Sequence, residues 1–240
     1  MTNFAIILAG GIGSRIGGDV PKQLLPLGDG RSILEHSVDA FEQADCISTI
    51  GIVMHADFIA AAQDLIRRNG WTKVKFVIVG GRERWESSVN AIREILKRNT
   101  LRNDINILLH DAARPFVSER IIGDVCTALE QHEAVTVAIP ATDTMYSIEQ
   151  DATAGPIVQD IPSRSTLMCA QTPQAFRLTT IAKAYSLALG VPNLETVNQH
   201  ILPIQATDDC GIVHRHLPSV PIHIVLGDVA NRKITYREDL

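Results

Sequence analysis

The loop at residues 8–23 combines glycines with fixed positive charge. Its two cations are Arg15 and Lys22, and its glycines fall in the run Gly10-Gly11-Ile12-Gly13 and again at Gly17-Gly18. Glycine lets backbone N–H groups approach an anion closely and gather into a concave nest. Arginine and lysine beside such a nest can hold a triphosphate and stabilise the charge that develops at a reacting phosphorus. The loop therefore predicts transfer chemistry at a phosphorus atom.

The same loop does not fit two common phosphate motifs. No Gly-Lys-Ser/Thr follows, so it is not a Walker A loop, and its third glycine falls too late for a dinucleotide fingerprint. An NAD-dependent oxidoreductase would also need an acidic residue about 20 positions further on. A structural glycine turn is the alternative for the glycines alone, but it does not account for Arg15, Pro21 and Lys22.

Strand-like and helix-like segments alternate around this loop, and they must position it. Ser32 with Glu35 forms a capping box, Ser118 is a good N-cap, and Gly70 is a plausible C-cap. Such alternation predicts parallel βαβ units in a Rossmann-like α/β fold, with one domain over residues 1–240. Predicted strands are 4–8, 49–54, 73–79, 105–109 and 134–139, and predicted helices are 32–44, 56–68, 86–98 and 118–132.

In a parallel sheet the ligand binds beyond the carboxyl ends of the strands. The segments in those positions are 9–22, 80–86, 110–115 and 140–144, and they hold most of the glycine, arginine and aspartate that could do chemistry. We therefore expect these four segments to meet at one edge of the sheet.

Residues 142–170 have a different pattern. Short alternating stretches at 146–148 and 156–161, with a turn at Gly155-Pro156 between them, predict a β-hairpin arm that leaves the main sheet. Exposed strand edges usually find a partner. A symmetric homodimer with exchanged arms is our hypothesis.

Composition excludes several classes of function. The net charge of -5 predicts no overall attraction for nucleic acid, so positive charge should be local. The start of the chain predicts no signal peptide, and no apolar run is long enough to span a membrane. The four cysteines form no CxxC pair, which favours free thiols in a cytoplasmic protein over a zinc or redox site.

The motifs together resemble a known family. The glycine loop and Pro21-Lys22-Gln23 are followed by GGRERWESSV at 80–89, HDAARPF at 110–116, AQTPQAF at 170–176, TDDCGIV at 207–213 and NRKIT at 231–235. This ordered set is similar to the polyol-phosphate cytidylyltransferases, which make CDP-methylerythritol or CDP-ribitol. The resemblance implies a nucleotidyltransferase fold, CTP and a polyol phosphate as substrates, pyrophosphate as product, and Mg²⁺ as cofactor.

The resemblance implies a role for each matching residue. The transition state at the α-phosphorus would be stabilised by Arg15 and Lys22, with Arg164 and Lys233 completing the catalytic set. Asp111 would organise the metal and CTP. CTP would be bound by Leu8, Ala9, Gly10, Gly11, Gly13, Gly80, Gly81, Ser87, Asp111 and Ala112. The acceptor would be bound by Arg114, Thr144, Arg164, Thr172, Thr207 and Lys233, with Thr144 and Arg164 serving the neighbouring subunit.

Two points depart from the family pattern. Arg82 stands where methylerythritol enzymes often have an acidic residue, which puts the side-chain contact to the base in doubt. Family chains also usually continue into a helix after the segment that matches residues 238–240, and whether a helix or further domain follows residue 240 is left open.

This chemistry explains the absence of a nucleophilic triad. Both the acceptor phosphate and the α-phosphate are anionic, so Mg²⁺ and fixed cations must offset their repulsion. The attacking oxygen is already ionised, and no general base is needed. We therefore interpret His110 as structural, the charges at Glu83, Arg84 and Glu86 as solvated, and Asp208-Asp209 as a helix cap.

The acceptor is the open choice. Residues 161–164 and the cysteine of TDDCGIV resemble the ribitol branch, whereas HDAARPF is closer to the methylerythritol branch. We favour ribitol 5-phosphate, with 2-C-methyl-D-erythritol 4-phosphate as the alternative. A non-catalytic nucleotide-binding protein on the same fold is the other class, and the cations present argue against it.

Overall fold

The computed structural model describes residues 1–11, 20–98, 104–151, 155–196 and 206–240. Its main sheet has seven strands in the order β3-β2-β1-β4-β8-β5-β9. A second sheet pairs β6 with β7. The strands are β1 (Thr2–Ala9), β2 (Thr49–Met54), β3 (Val74–Val79), β4 (Ile105–Asp111), β5 (Ala134–Pro140), β6 (Ser147–Asp151), β7 (Gly155–Asp160), β8 (Met168–Arg177) and β9 (His223–Leu226).

The main sheet is mostly parallel, as predicted. β1 pairs in parallel with β2 and β4, β2 with β3, and β5 with β9. The exception is β8, which lies between β4 and β5 and runs antiparallel to both. This strand, which contains the AQTPQAF motif, was not predicted from the sequence.

The three helix caps predicted from the sequence are present. The capping box of Ser32 and Glu35 is present, Ser118 caps α4, and Gly70 ends α2 in the left-handed conformation at φ 65°. Gly70 suits this position because it lacks the Cβ that disfavours positive φ. The helices are α1 (Ile33–Gln43), α2 (Ile59–Asn69), α3 (Arg84–Arg98), α4 (Glu119–Gln131), α5 (Leu178–Leu189) and α6 (Asp209–His216).

The hydrophobic core occupies both faces of the sheet. Along β1, Phe4, Ile6 and Leu8 pack on the face covered by α3, α5 and α6, whereas Ala5, Ile7 and Ala9 face α1, α2 and α4. Burial on both faces explains why the central strands read as continuous apolar runs.

The predicted hairpin arm is present. β6 and β7 form an antiparallel pair outside the main sheet, and their apolar side chains Ile148 and Val158 are exposed. Gly155 begins β7 rather than forming the centre of the turn, and residues 152–154 lie outside the described part of the chain. Within the described ranges, no helix is long and apolar enough to cross a membrane.

Candidate active site

A cavity of about 400 Å³ opens at the carboxyl ends of β1, β3 and β4. Three of the four segments that the sequence analysis expected at one edge of the sheet contribute to its wall. They are joined by the segment after β9. The lining residues are Leu8, Gly10, Gly11, Lys22, Gln23, Gly81, Arg82, Glu83, Arg84, Ser87, Asp111, Ala113, Lys233 and Thr235.

The glycine loops after β1 and β3 touch one another at the back of this cavity. A Cβ placed on Gly80 would lie 3.1 Å from the Gly10 Cα and 3.0 Å from the Ser87 Oγ. The Ser87 hydroxyl in turn accepts a hydrogen bond of 3.0 Å from the Gly81 N–H. A larger residue at Gly80 would therefore push the two loops apart.

Two lysines enter the cavity from different parts of the chain. Lys22 donates a hydrogen bond of 2.8 Å to the Ile234 carbonyl, and Lys233 donates one of 2.7 Å to Asp111 Oδ2. The loop with Lys233 is fixed to the end of β4, because the Ile234 N–H donates to the Ala113 carbonyl at 2.8 Å. Two positive charges from distant parts of the chain thus line the same cavity.

Asp111 is the anionic centre of the site. Burial by itself would raise its pKa, but the charges of Arg84 and Lys233 outweigh burial and hold the pKa below its usual value. Arg84 Nε donates to Asp111 Oδ1 at 2.9 Å, so each carboxylate oxygen has its own cationic donor. Asp111 is therefore ionised at neutral pH.

The structure shows that the interpretation of Arg84 as a solvated charge was wrong. It is not a solvated charge, because its Nη1 also donates at 2.6 Å to Asp209, whose side chain is 0% exposed. Burial would lower the pKa of Arg84, but Asp209 and Asp111 raise it above its ordinary value. No local pattern pointed to this role, since the two partners are 27 and 125 positions away in the chain.

Asp208, which precedes Asp209, is the helix cap that was predicted from the sequence. Asp208 caps α6, and its Oδ1 accepts from the Gly211 N–H at 2.8 Å. The Asp208-Asp209 pair therefore serves two purposes, since the Asp208 carboxylate caps the start of α6 and the Asp209 carboxylate binds Arg84.

His110 and Thr172 support the backbone of Asp111. The Arg114 carbonyl can only accept, so His110 Nε2 carries the proton of their 3.0 Å hydrogen bond. His110 Nδ1 then accepts from the Thr172 hydroxyl at 3.0 Å, and that oxygen accepts from the Asp111 N–H at 3.1 Å. Burial lowers the pKa of His110 to about 4, so the ring is neutral. This series of hydrogen bonds supports the interpretation of His110 as a structural residue.

The other residues implied by the resemblance are less close to the cavity. Ala112 is fully buried, and Arg114 holds the Asn231 and Ala170 carbonyls at 2.8 and 3.2 Å. Ala9, Gly80, Ala112, Arg114, Thr144, Arg164, Thr172 and Thr207 are not among the lining residues, and Thr144, Arg164 and Thr207 are exposed. Their predicted contacts with substrate stay predictions. Gly13 and Arg15 lie outside the described residues.

The donor set suits a divalent cation that arrives with a nucleotide. Mg²⁺ is usually held by one or two carboxylates together with substrate phosphates. Asp111 provides one ionised carboxylate in the cavity wall. Nowhere in the described ranges do three or more His, Cys, Asp or Glu side chains form a group that could hold a metal. The residues present therefore fit a metal that the substrate phosphates help to bind.

Comparisons with known proteins show the family of this chain. Residues 3–240 match the family profile for IspD, 2-C-methyl-D-erythritol 4-phosphate cytidylyltransferase. The chain is 41% identical to the enzyme of that name from Thermobifida fusca over 236 residues, which cover 98% of this chain and 89% of that protein. It is 36% identical to the one from Geobacter metallireducens over 241 residues, which cover 100% of this chain and 95% of the relative.

One relative has a different name. A bifunctional ribulose 5-phosphate reductase/CDP-ribitol pyrophosphorylase from Haemophilus influenzae is 34% identical over 238 residues, which cover 99% of this chain and 46% of that protein. The relatives of this chain thus carry two different polyols in their names.

Solved structures share the whole fold. A 4-diphosphocytidyl-2C-methyl-D-erythritol synthase from Anaerococcus prevotii superposes with a TM-score of 0.79 at 26% identity, covering 99% of this chain and 92% of that one. The 2-C-methyl-D-erythritol 4-phosphate cytidylyltransferase of Francisella tularensis gives 0.75 at 26% identity, with 100% and 96% covered. Together with the cavity, these matches show that the chain belongs to the 2-C-methyl-D-erythritol 4-phosphate cytidylyltransferase family and is a CTP-dependent nucleotidyltransferase.

Proposed function

We propose that this enzyme transfers the cytidylyl group of CTP to 2-C-methyl-D-erythritol 4-phosphate, forming CDP-methylerythritol and pyrophosphate. The observation that carries the acceptor is the match of residues 3–240 to the family of that name, supported by the 41% identical relative. The preference for ribitol 5-phosphate in the sequence analysis is therefore reversed. It rested on a few residues, whereas the comparisons weigh the whole chain.

The cavity suits this reaction because its wall combines two lysines with the backbone of Gly10, Gly11 and Gly81. We assign the triphosphate to the loop after β1, beside Lys22, and the acceptor phosphate to the side of Lys233. An oxygen of the acceptor phosphate attacks the α-phosphorus, the bond from that phosphorus to the β-phosphate oxygen breaks, and pyrophosphate leaves. Lys22 and Lys233 offset the negative charge that both phosphates bring.

Asp111 has two parts in this proposal. It orients the Lys233 ammonium through the 2.7 Å hydrogen bond, and it would hold Mg²⁺ together with the phosphates of CTP. A divalent cation as cofactor is also what the resemblance to the polyol-phosphate cytidylyltransferases implies. When bound, the cation would neutralise phosphate charge and favour the departure of pyrophosphate.

The hairpin arm is our candidate for completing the acceptor site across a homodimer. Thr144 and Arg164 are exposed on the arm and, like its other described residues, do not line the cavity of their own chain. The arm also exposes Tyr146 at 57%, Ile148 at 52% and Val158 at 49%. Apolar side chains in that number on a two-stranded sheet favour burial against a partner.

Pyrophosphate release tests the proposed acceptor. The enzyme would be incubated with CTP and Mg²⁺ and with either 2-C-methyl-D-erythritol 4-phosphate or ribitol 5-phosphate. We expect a higher kcat/KM for the methylerythritol substrate. Preferential turnover of ribitol 5-phosphate would instead support the activity in the name of the Haemophilus influenzae relative. The homodimer stays a prediction, which analytical ultracentrifugation of the purified protein would check. A cytoplasmic location also stays a prediction.

A further inference from the structure

Four side chains of alternating charge run from the interior of the molecule to the cavity. Asp209 accepts from Arg84 Nη1 at 2.6 Å, Arg84 Nε donates to Asp111 at 2.9 Å, and Asp111 accepts from Lys233 at 2.7 Å. The two ends of the series differ in exposure, since the side chain of Asp209 is 0% exposed and that of Lys233 is 38% exposed, whereas Arg84 and Asp111 between them have values of 27% and 12%. The series therefore joins a fixed interior group to the ammonium that faces the substrate.

The interior end of the series is firmly held. Tyr185 donates its hydroxyl to Asp209 Oδ1 at 2.7 Å, which leaves Oδ2 for Arg84. The Asp209 N–H donates to Gln174 Oε1 at 3.0 Å, so the first turn of α6 is tied to β8. Asp209 cannot move without breaking these contacts, and it therefore serves as a fixed reference point for the guanidinium.

We propose that Arg84 is a positioning residue, which uses Asp209 as an anchor to hold the Asp111 carboxylate in one orientation and so to aim Lys233 at the substrate. This inference rests on the proposed function, in which Asp111 and Lys233 act on the phosphates. A planar guanidinium donates two hydrogen bonds in fixed directions, and a single ammonium cannot reproduce that geometry. Without Arg84, the Asp111 carboxylate would keep Lys233 as its partner but lose the contact that sets its angle.

A double variant separates positioning from simple stabilisation. Arg84→Met alone leaves Asp209 as an unpaired buried charge, so we expect a lower melting temperature together with a kcat reduced on the order of 100-fold. Adding Asp209→Asn removes that charge and keeps an oxygen acceptor for Tyr185. The melting temperature should then return close to the wild-type value while kcat stays low. Recovery of kcat along with the melting temperature would overturn the proposal, because the role of Arg84 would then be structural.

Two further variants complete the experiment. Arg84→Lys keeps the charge but cannot bridge both carboxylates, so its kcat should fall between the wild-type and Arg84→Met values. If neither methionine variant folds, this lysine variant decides, and an unchanged kcat would contradict the proposal. Arg67→Gln, at an exposed arginine of α2 paired with Asp64, is the control and should leave kcat unchanged.

The wild-type assay keeps the two proposals apart. Failure of the wild-type enzyme to use 2-C-methyl-D-erythritol 4-phosphate would contradict the proposed acceptor. Normal wild-type turnover, followed by full kcat in the Arg84→Met/Asp209→Asn variant, would contradict only the positioning role.

Discussion

Replacing Gly80 with alanine tests whether the close approach of the two glycine loops is needed to bind CTP. The new Cβ would lie 3.0 Å from the Ser87 Oγ, 3.1 Å from the Gly10 Cα and 3.4 Å from the Val53 Cγ1. Carbon atoms in favourable contact lie about 3.5–4.0 Å apart, so the loops would have to separate by roughly half an ångström. Two of these neighbours are a backbone atom and a short buried side chain, which have little freedom to move.

We expect this separation to appear in both binding and stability. Overpacking of this kind costs about 1–3 kcal/mol of the free energy of unfolding. The displaced loop should also raise the KM for CTP by about tenfold, which corresponds to a loss of about 1.4 kcal/mol. Pyrophosphate release at varied CTP concentration gives the KM, and thermal unfolding gives the change in stability.

The matched control is Gly123→Ala in α4, where an added Cβ would meet nothing within 4 Å. Alanine is favoured over glycine inside a helix by about 0.5–1 kcal/mol, so this variant should gain stability and keep the wild-type KM. A Gly80→Ala enzyme with a KM for CTP within about twofold of wild type would refute the argument that the contact between the loops shapes the nucleotide site.

Three further predictions address other parts of the molecule. Lys22→Ala should lower kcat by about 10²–10³ while weakening CTP binding far less, and near-wild-type kcat in steady-state kinetics would argue against a transition-state role. Arg164→Ala on the arm should raise the KM for the acceptor with CTP affinity nearly unchanged; a defect confined to CTP would contradict the shared site. A hydrogen bond with Cys126 lowers the pKa of the Cys46 thiol to about 7. The rate at which iodoacetamide labels Cys46 should therefore rise with pH and reach half its maximum near that pH. Peptide mapping by mass spectrometry checks this, and labelling of Cys46 only near pH 9.0, the ordinary value, would exclude the interaction.

Features that depend on neighbouring residues could be predicted from the sequence. Ser32 and Glu35 are three positions apart, and their capping box forms as expected. The rule that ligands bind at the carboxyl ends of parallel strands also brought Lys22, Gly81 and Asp111 into one cavity. The first argument needs only two residues that are three positions apart in the chain. The second needs only the knowledge that the strands run parallel, because their carboxyl ends then lie at the same edge of the sheet.

Features that depend on distant contacts could not be predicted in the same way. Arg84 lies between two glutamates at a helix start, a pattern typical of solvated charge, and its partner Asp209 is 125 positions away. The insertion of β8 between β4 and β5 likewise depends on pairing between strands that no local signal connects. The preference for ribitol 5-phosphate rested on residues 161–164 and the cysteine of TDDCGIV, whereas the comparisons over the whole chain favour the methylerythritol alternative.

The base of the arm has a consequence for how such enzymes can diverge. Pro140 at the end of β5 lies opposite Met168 at the start of β8, and the Ala141 N–H donates to the Leu167 carbonyl at 3.1 Å. The chain therefore leaves the main sheet and returns to it at adjacent positions. Insertions or deletions between these positions leave the register of β5 and β8 unchanged, since the closing contacts do not involve the hairpin itself. Natural variation in the length and composition of the hairpin can therefore accumulate without cost to the sheet that holds the glycine loops.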